Sequence, residues 1–128
     1  MGAINGAYAY GQIGEVDAQI DLLRQFVAAY GAEGLRASLK KGEPRRYEDR
    51  ARFTGMGLGA LAEALGKRAD VAGAGSALLA RASLDGEKVD ERRSAACAAV
   101  SAFASIPDAK QVAAAKRVAR KVGATCPK

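Results

Sequence analysis

The stretch Tyr47–Leu65, YEDRARFTGMGLGALAEAL, decides the fold. Tyr47, Ala51, Thr54, Leu58, Leu61 and Leu65 recur at i, i+4, i+7, i+11, i+14 and i+18, which is one face of an α-helix. Glu48, Arg52 and Glu63 fall away from that face. Pro44 lies just upstream, where a proline in the first turn sacrifices no hydrogen bond. No other periodic pattern in the chain is as long, and shorter amphipathic patterns flank it on both sides.

Gly55, Gly57 and Gly59 interrupt this face. Each costs up to about 1 kcal/mol relative to alanine in a helix interior, so something must offset them. Close packing is the first reading, since Gly55 and Gly59 are one turn apart and leave bare backbone for a neighbour. A break into two helices is the second. The third is phosphate binding by a small-ligand or enzyme module using residues 55–60, because Gly55, Gly57 and Ala60 spell G-x-G-x-x-A. A dinucleotide fingerprint needs a strand before it and an acidic residue about 20 positions on. The preceding RRYEDRARF is charged at helical spacing and does not read as a buried strand.

Working outward, the chain of 128 residues reads as one domain, with an N-terminal arm or short helix over 1–13 and a tail over 124–128. Glu15 to Tyr30 forms a helix with Val16, Ile20, Leu23, Val27 and Tyr30 as its apolar stripe and Gly31 as its stop. Ala32–Leu39 suggests a short helix, and residues 40–44 a loop. Asp70 caps a helix running to about Ser83, with Val71, Leu78 and Ala82 inward. After the turn at Leu84–Asp90, a further helix places Val89, Ala96, Val100 and Phe103 on one face. Ser105-Ile-Pro-Asp108 has capping-box spacing and opens the last helix, whose apolar face is Val112, Ala115, Ala119 and Val122. Alanine dominates the apolar residues and aromatics are only 5%. The expected architecture is therefore an all-α bundle of about five helices with a small-residue core of alanine and glycine.

Several chemistries lack their parts. There is no histidine, which removes the commonest general base and metal ligand. No serine sits in a G-x-S-x-G setting. Glu48, Asp49 and Glu63 share a helix with arginines and read as an ion-paired face. Asp85-Gly86-Glu87 supplies too few acceptors for a calcium loop and reads as a capped turn. No catalytic residue, cofactor site or metal site is expected, and no apolar run of 18 residues could cross a membrane.

Charge is uneven. Residues 1–34 carry four acids against one base, for −3, and residues 35–68 carry nine bases against four acids, for +5. Residues 69–106 sum to −1 and residues 107–128 to +5. Arg45, Arg46, Arg50 and Arg52 form one basic cluster; Lys116, Arg117, Arg120 and Lys121 form another, with Lys110 nearby. These are candidate contacts for phosphates or an acidic partner. No aromatics are interleaved with them, which leaves base stacking unsupported. The acidic first helix is expected to meet a basic surface, in the same chain or in another.

Cys97 and Cys126 lack the spacing of a zinc site. If the helices either side of Pro107 form an antiparallel hairpin, the last helix ends about six residues, or roughly 9 Å, short of Cys97. Gly123 to Cys126 spans about 13 Å when extended, so a reversal at Gly123 can join the sulfurs. The alternatives are a disulfide, implying an oxidising compartment and export, or two unrelated thiols, with a cytoplasmic or virion setting by default.

The run Ala77–Val100, ALLARASLDGEKVDERRSAACAAV, resembles the acidic turn of TerB-type helical domains, in which a helix, an Asp-Gly turn and an acidic residue precede a second helix. Ala7–Ile20 echoes it with Tyr10 at the aspartate position, and Val89 falls one position late. The resemblance covers two short stretches and implies no function. The functional expectation is a non-enzymatic interaction or assembly protein of bacterial or phage type, acting through helix faces in a homo-oligomer or with a protein partner. The alternatives are a sequence-tolerant nucleic-acid binder and the glycine-segment module.

Overall fold

A computed structural model describes residues 15–28 and 44–126, apart from the side chains of residues 44–48. The described residues form five helices and no strand: α1 (Val16–Ala28), α2 (Pro44–Lys67), α3 (Val71–Ala82), α4 (Val89–Ser105) and α5 (Ala109–Lys121). They pack largely in chain order, α1 on α2, α2 on α3, α3 on α4 and α4 on α5, with a lesser contact between α3 and α5. The N-terminal arm, the suggested helix over 32–39 and most of the 40–44 loop lie outside the described residues.

The long periodic stretch is one unbroken helix beginning at Pro44, so the break into two helices is corrected. Ala51, Thr54, Leu58, Leu61 and Leu65 are all buried, as their spacing requires. Thr54 is satisfied within its own helix: its hydroxyl donates to the Arg50 carbonyl at 2.8 Å. Leu58, Leu61 and Leu65 meet Ile20 and Leu23 of α1 and Ala74 and Ala77 of α3 in the first core cluster. On the other side of α3 the core is nearly all alanine, with Ala82, Ala95, Ala96 and Ala119 around Val122, and Ala99 and Ala115 around Phe103. Leu78 of α3 borders all three clusters.

The helix ends follow local chemistry. Asp70 caps α3 by accepting from the Gly73 N–H at 2.9 Å. The cap of α5 is Asp108, which accepts from the Gln111 N–H at 3.2 Å. Ser105 is instead the last residue of α4, and its hydroxyl donates back to the Ala102 carbonyl. The capping-box reading is thus displaced by three residues, because Asp108 stands immediately before the helix start whereas Ser105 is still inside the preceding helix. Val89 is also corrected. As the first residue of α4 it is 48% exposed, three residues ahead of Arg92, the residue that reaches the end of α3.

Two adjacent arginines of α4 close the C-termini of both neighbours. Arg92 Nε donates to the Ala82 carbonyl at the end of α3, and Arg93 Nε donates to the Val122 carbonyl just past α5, each at 2.9 Å. Both satisfy carbonyls that a helix end leaves without an internal partner. The level of Arg93 with Val122 also fixes α4 and α5 as the expected antiparallel hairpin.

Candidate functional site

The glycine-rich segment is occupied by the protein itself. A Cβ on Gly55 would fall on the Glu87 carboxylate, and one on Gly59 would press on the Arg81 guanidinium. A Cβ on Gly57 would come within 2.8 Å of the Phe26 ring. In the slot that these glycines leave, Arg81 Nε donates to Glu87 Oε2 at 3.1 Å, with side chains 18% and 2% exposed. Glu87 Oε1 accepts from the Lys88 N–H at 2.8 Å, and Arg81 Nη2 also reaches Glu91 at 3.3 Å. The close-packing reading therefore holds, with side chains rather than a second backbone as the close neighbours. The residues before the segment are helical, so it lacks the preceding strand that a dinucleotide fingerprint requires.

The Asp-Gly turn is ordered by the same contacts. Gly86 takes φ +90°, Asp85 faces Arg92 at 3.7 Å, and Glu87 turns inward to Arg81. Its acids therefore point at arginines, in different directions. Among the described residues no group of three or more histidine, cysteine, aspartate or glutamate side chains converges on a common point.

The two basic clusters differ in kind. In the first, Arg52 is exposed and Arg50 half-buried on α2, and the side chains of Arg45 and Arg46 lie outside the described set. Arg50 and Arg52 do not share one outward surface. In the second, Lys116, Arg117, Arg120 and Lys121 are all exposed on α5, which carries five cations and no acid. The turn of about 100° per residue divides this cluster. Lys110, Arg117 and Lys121 (i, i+7, i+11) form an outer stripe, whereas Lys116 and Arg120 (i, i+4) lie on the side that borders α4. None of the five forms an ion pair among the described residues.

At the other end of the packing order, Glu15, just before α1, and Asp17 and Asp21 on it are exposed. Asp17 accepts from Arg68 Nε at 2.8 Å, so the acidic helix does meet a basic residue of the same chain, across α1 and α2. Both partners are solvent-accessible, and such a pair contributes about 0–1 kcal/mol. Glu15 and Asp21 make no ion pair among the described residues.

Cys97 and Cys126 are bonded as a disulfide, with Cα atoms 5.1 Å apart. Gly123 takes φ +74°, the left-handed conformation that reverses the chain after α5 and returns the tail to α4. Ala124 and Cys126 pack against the alanine cluster. Beside the returned tail, α4 and α5 part to leave an apolar groove of about 510 Å³. Sequence reasoning missed this groove, because periodicity marks which faces turn inward and says nothing of where two alanine-lined helices leave space. The signal nearest to it was the tail's return, which supplies one wall.

No protein-family model, no curated protein and no solved structure matches this chain.

Proposed function

We propose that this protein is a non-enzymatic assembly module of an oxidising compartment, associating head to tail through its oppositely charged terminal helices. The supporting observation is the segregation of charge that forms no ion pair among the described residues. Glu15 and Asp21 stand exposed at the start of α1 and on it, at one end of the packing order, and Lys110, Arg117 and Lys121 stand exposed on α5 at the other. In the packing order α2, α3 and α4 lie between them, which leaves these groups to meet between copies or on a partner of matching charge. Complementary faces at opposite ends of one chain give a heterologous contact, which builds rings or open filaments rather than a closed twofold pair. The disulfide supports the compartment, since such bonds persist where thiols are not kept reduced. An enzyme reading has no support among the described residues: the most buried carboxylate there, Glu87, is consumed by Arg81 and a backbone N–H.

The outer stripe of α5 would also suit phosphates, and this rival is tested in the same experiment. Light scattering at rising salt should show association at low ionic strength that is lost as the charges are screened. The E15K/D21K and R117E/K121E variants should each be monomeric, and mixing them should restore association between unlike chains. A wild-type protein that is monomeric at every salt concentration, or variants that associate as well as the parent, would end this reading. Tight binding of a mixed-sequence DNA duplex that R117E/K121E abolishes would put the nucleic-acid reading in its place.

A further inference from the structure

The groove between α4 and α5 is a second site, on a different side of α5 from the association stripe. Its apolar surface comes from Val100 and Ala104 of α4, Val112 and Ala119 of α5, and Ala124 of the returned tail. Past Val112 it continues into a shallower apolar hollow of about 320 Å³ that reaches Pro107 and Ala113. The two spaces share Val112 and Lys116 and so lie next to one another along α5. Such a volume with a mostly apolar lining and few polar groups is what a small-molecule site offers.

The polar groups are of one sign. Lys116 and Arg120 stand one helical turn apart on the rim, both exposed and neither in an ion pair among the described residues. Among the described residues no carboxylate side chain lines either space. Ser101 is the remaining polar side chain on the α4 edge. An apolar groove closed at its edge by two cations complements a molecule with an apolar body and an anionic head. A guanidinium presents a planar fork to a carboxylate, and a nearby ammonium adds a mobile point charge.

We propose that the α4–α5 groove binds a medium-chain fatty carboxylate, with its chain on the surface formed by Val100, Ala104 and Val112 and its head between Lys116 and Arg120. The head stays at the solvent edge, so neither cation has to be desolvated fully. The returned tail forms the end wall, and the disulfide holds that wall in place.

Isothermal titration of the full chain with monomeric dodecanoate tests this. One dodecanoate should bind per chain, and dodecanol, which has the same chain and a neutral head, should bind about tenfold more weakly. K116A/R120A should weaken dodecanoate binding by about tenfold while leaving dodecanol binding unchanged. A104W, which fills the groove without touching a charge, should abolish both. K110A/R117A, on the outer stripe, should change neither, and far-UV circular dichroism should show native helicity throughout. Absence of dodecanoate binding, equal binding of the alcohol, or undiminished binding by K116A/R120A would overturn the proposal. So would binding to phosphatidylglycerol vesicles without any binding of the monomeric ligand, which would make the rim a membrane-surface contact.

Discussion

The seam around α2 is closed by unequal partners, whereas the seam between α4 and α5 is built from equal ones. On α2, Gly55 and Gly59 receive Glu87 and Arg81, and Gly57 receives Phe26; on α3, Gly75 receives Phe103. Each bare backbone position is filled by a long or aromatic side chain from its neighbour. Between α4 and α5, Ala95, Ala96 and Ala99 face Ala115 and Ala119, with Phe103 the one large residue among them. Small against large interdigitates and leaves no space. Small against small brings two helices close along a narrow line and leaves their flanks apart, with fewer dispersion contacts per residue. The second seam carries a covalent bond, an arginine on its terminal carbonyl, and a groove along one flank.

The largest expected effect comes from removing the covalent brace. C97A/C126A opens a loop of about 30 residues, and losing that constraint should cost about 3–4 kcal/mol. The melting temperature should fall by roughly 10–15 °C. Hydrogen exchange sharpens the contrast: amides of α5 and of the α4 half facing it should lose protection first, while those of α2 and α3 keep theirs. Uniform loss across all five helices would show that the two seams unfold as one, and the distinction between them would fall.

The glycine seam should break in a smaller and more specific way. Gly55→Ala places a methyl on the Glu87 carboxylate, which must swing away from Arg81 and from the Lys88 N–H. Displacing a largely buried ion pair should cost about 2–3 kcal/mol by urea denaturation. The cause is separable from general crowding. In an E87A background the same Gly55→Ala step should cost under about 1 kcal/mol, because the obstructing group is gone. Equal costs in both backgrounds would mean that the glycine serves the helix path and not the ion pair.

Much of this was legible in the sequence, and the reasons differ by feature. The helical class and the buried face of α2 were readable because 3.6-residue periodicity survives any tertiary arrangement. The disulfide was readable as one of two alternatives, because Pro107 sets the hairpin register and Gly123 the reversal. The occupants of the glycines were not readable. Gly55 advertises space, and nothing local says that Glu87, 32 positions later in a different turn, will fill it. Val89 was misplaced for a related reason: periodicity assigns a face, but burial at a helix end depends on how far the neighbouring helix extends. The groove lay furthest from view, being a property of two surfaces together.

The smallest expected effect runs in the opposite direction and concerns a glycine outside either seam. Gly66 lies in the last turn of α2, exposed, with nothing within 4 Å of where a Cβ would be and no left-handed backbone to require it. Three residues on, Ala69 takes φ +58° in the turn that ends the helix, where the Asp70 N–H returns to the Leu65 carbonyl at 2.9 Å. The left-handed conformation strains a Cβ and suits glycine. The chain thus places its flexible residue where the helix wants rigidity and its rigid residue where the turn wants freedom. Exchanging them in G66A/A69G should recover helix propensity at one position and relieve strain at the other, a combined gain of about 1 kcal/mol and roughly 4 °C in melting temperature. Gly55→Ala and Gly66→Ala are the same chemical change in the same helix, so opposite signs would isolate the contribution of the occupied slot. A loss of stability in G66A/A69G would mean that Gly66 has a neighbour in solution, and an association contact on that end of α2 would be the first place to look.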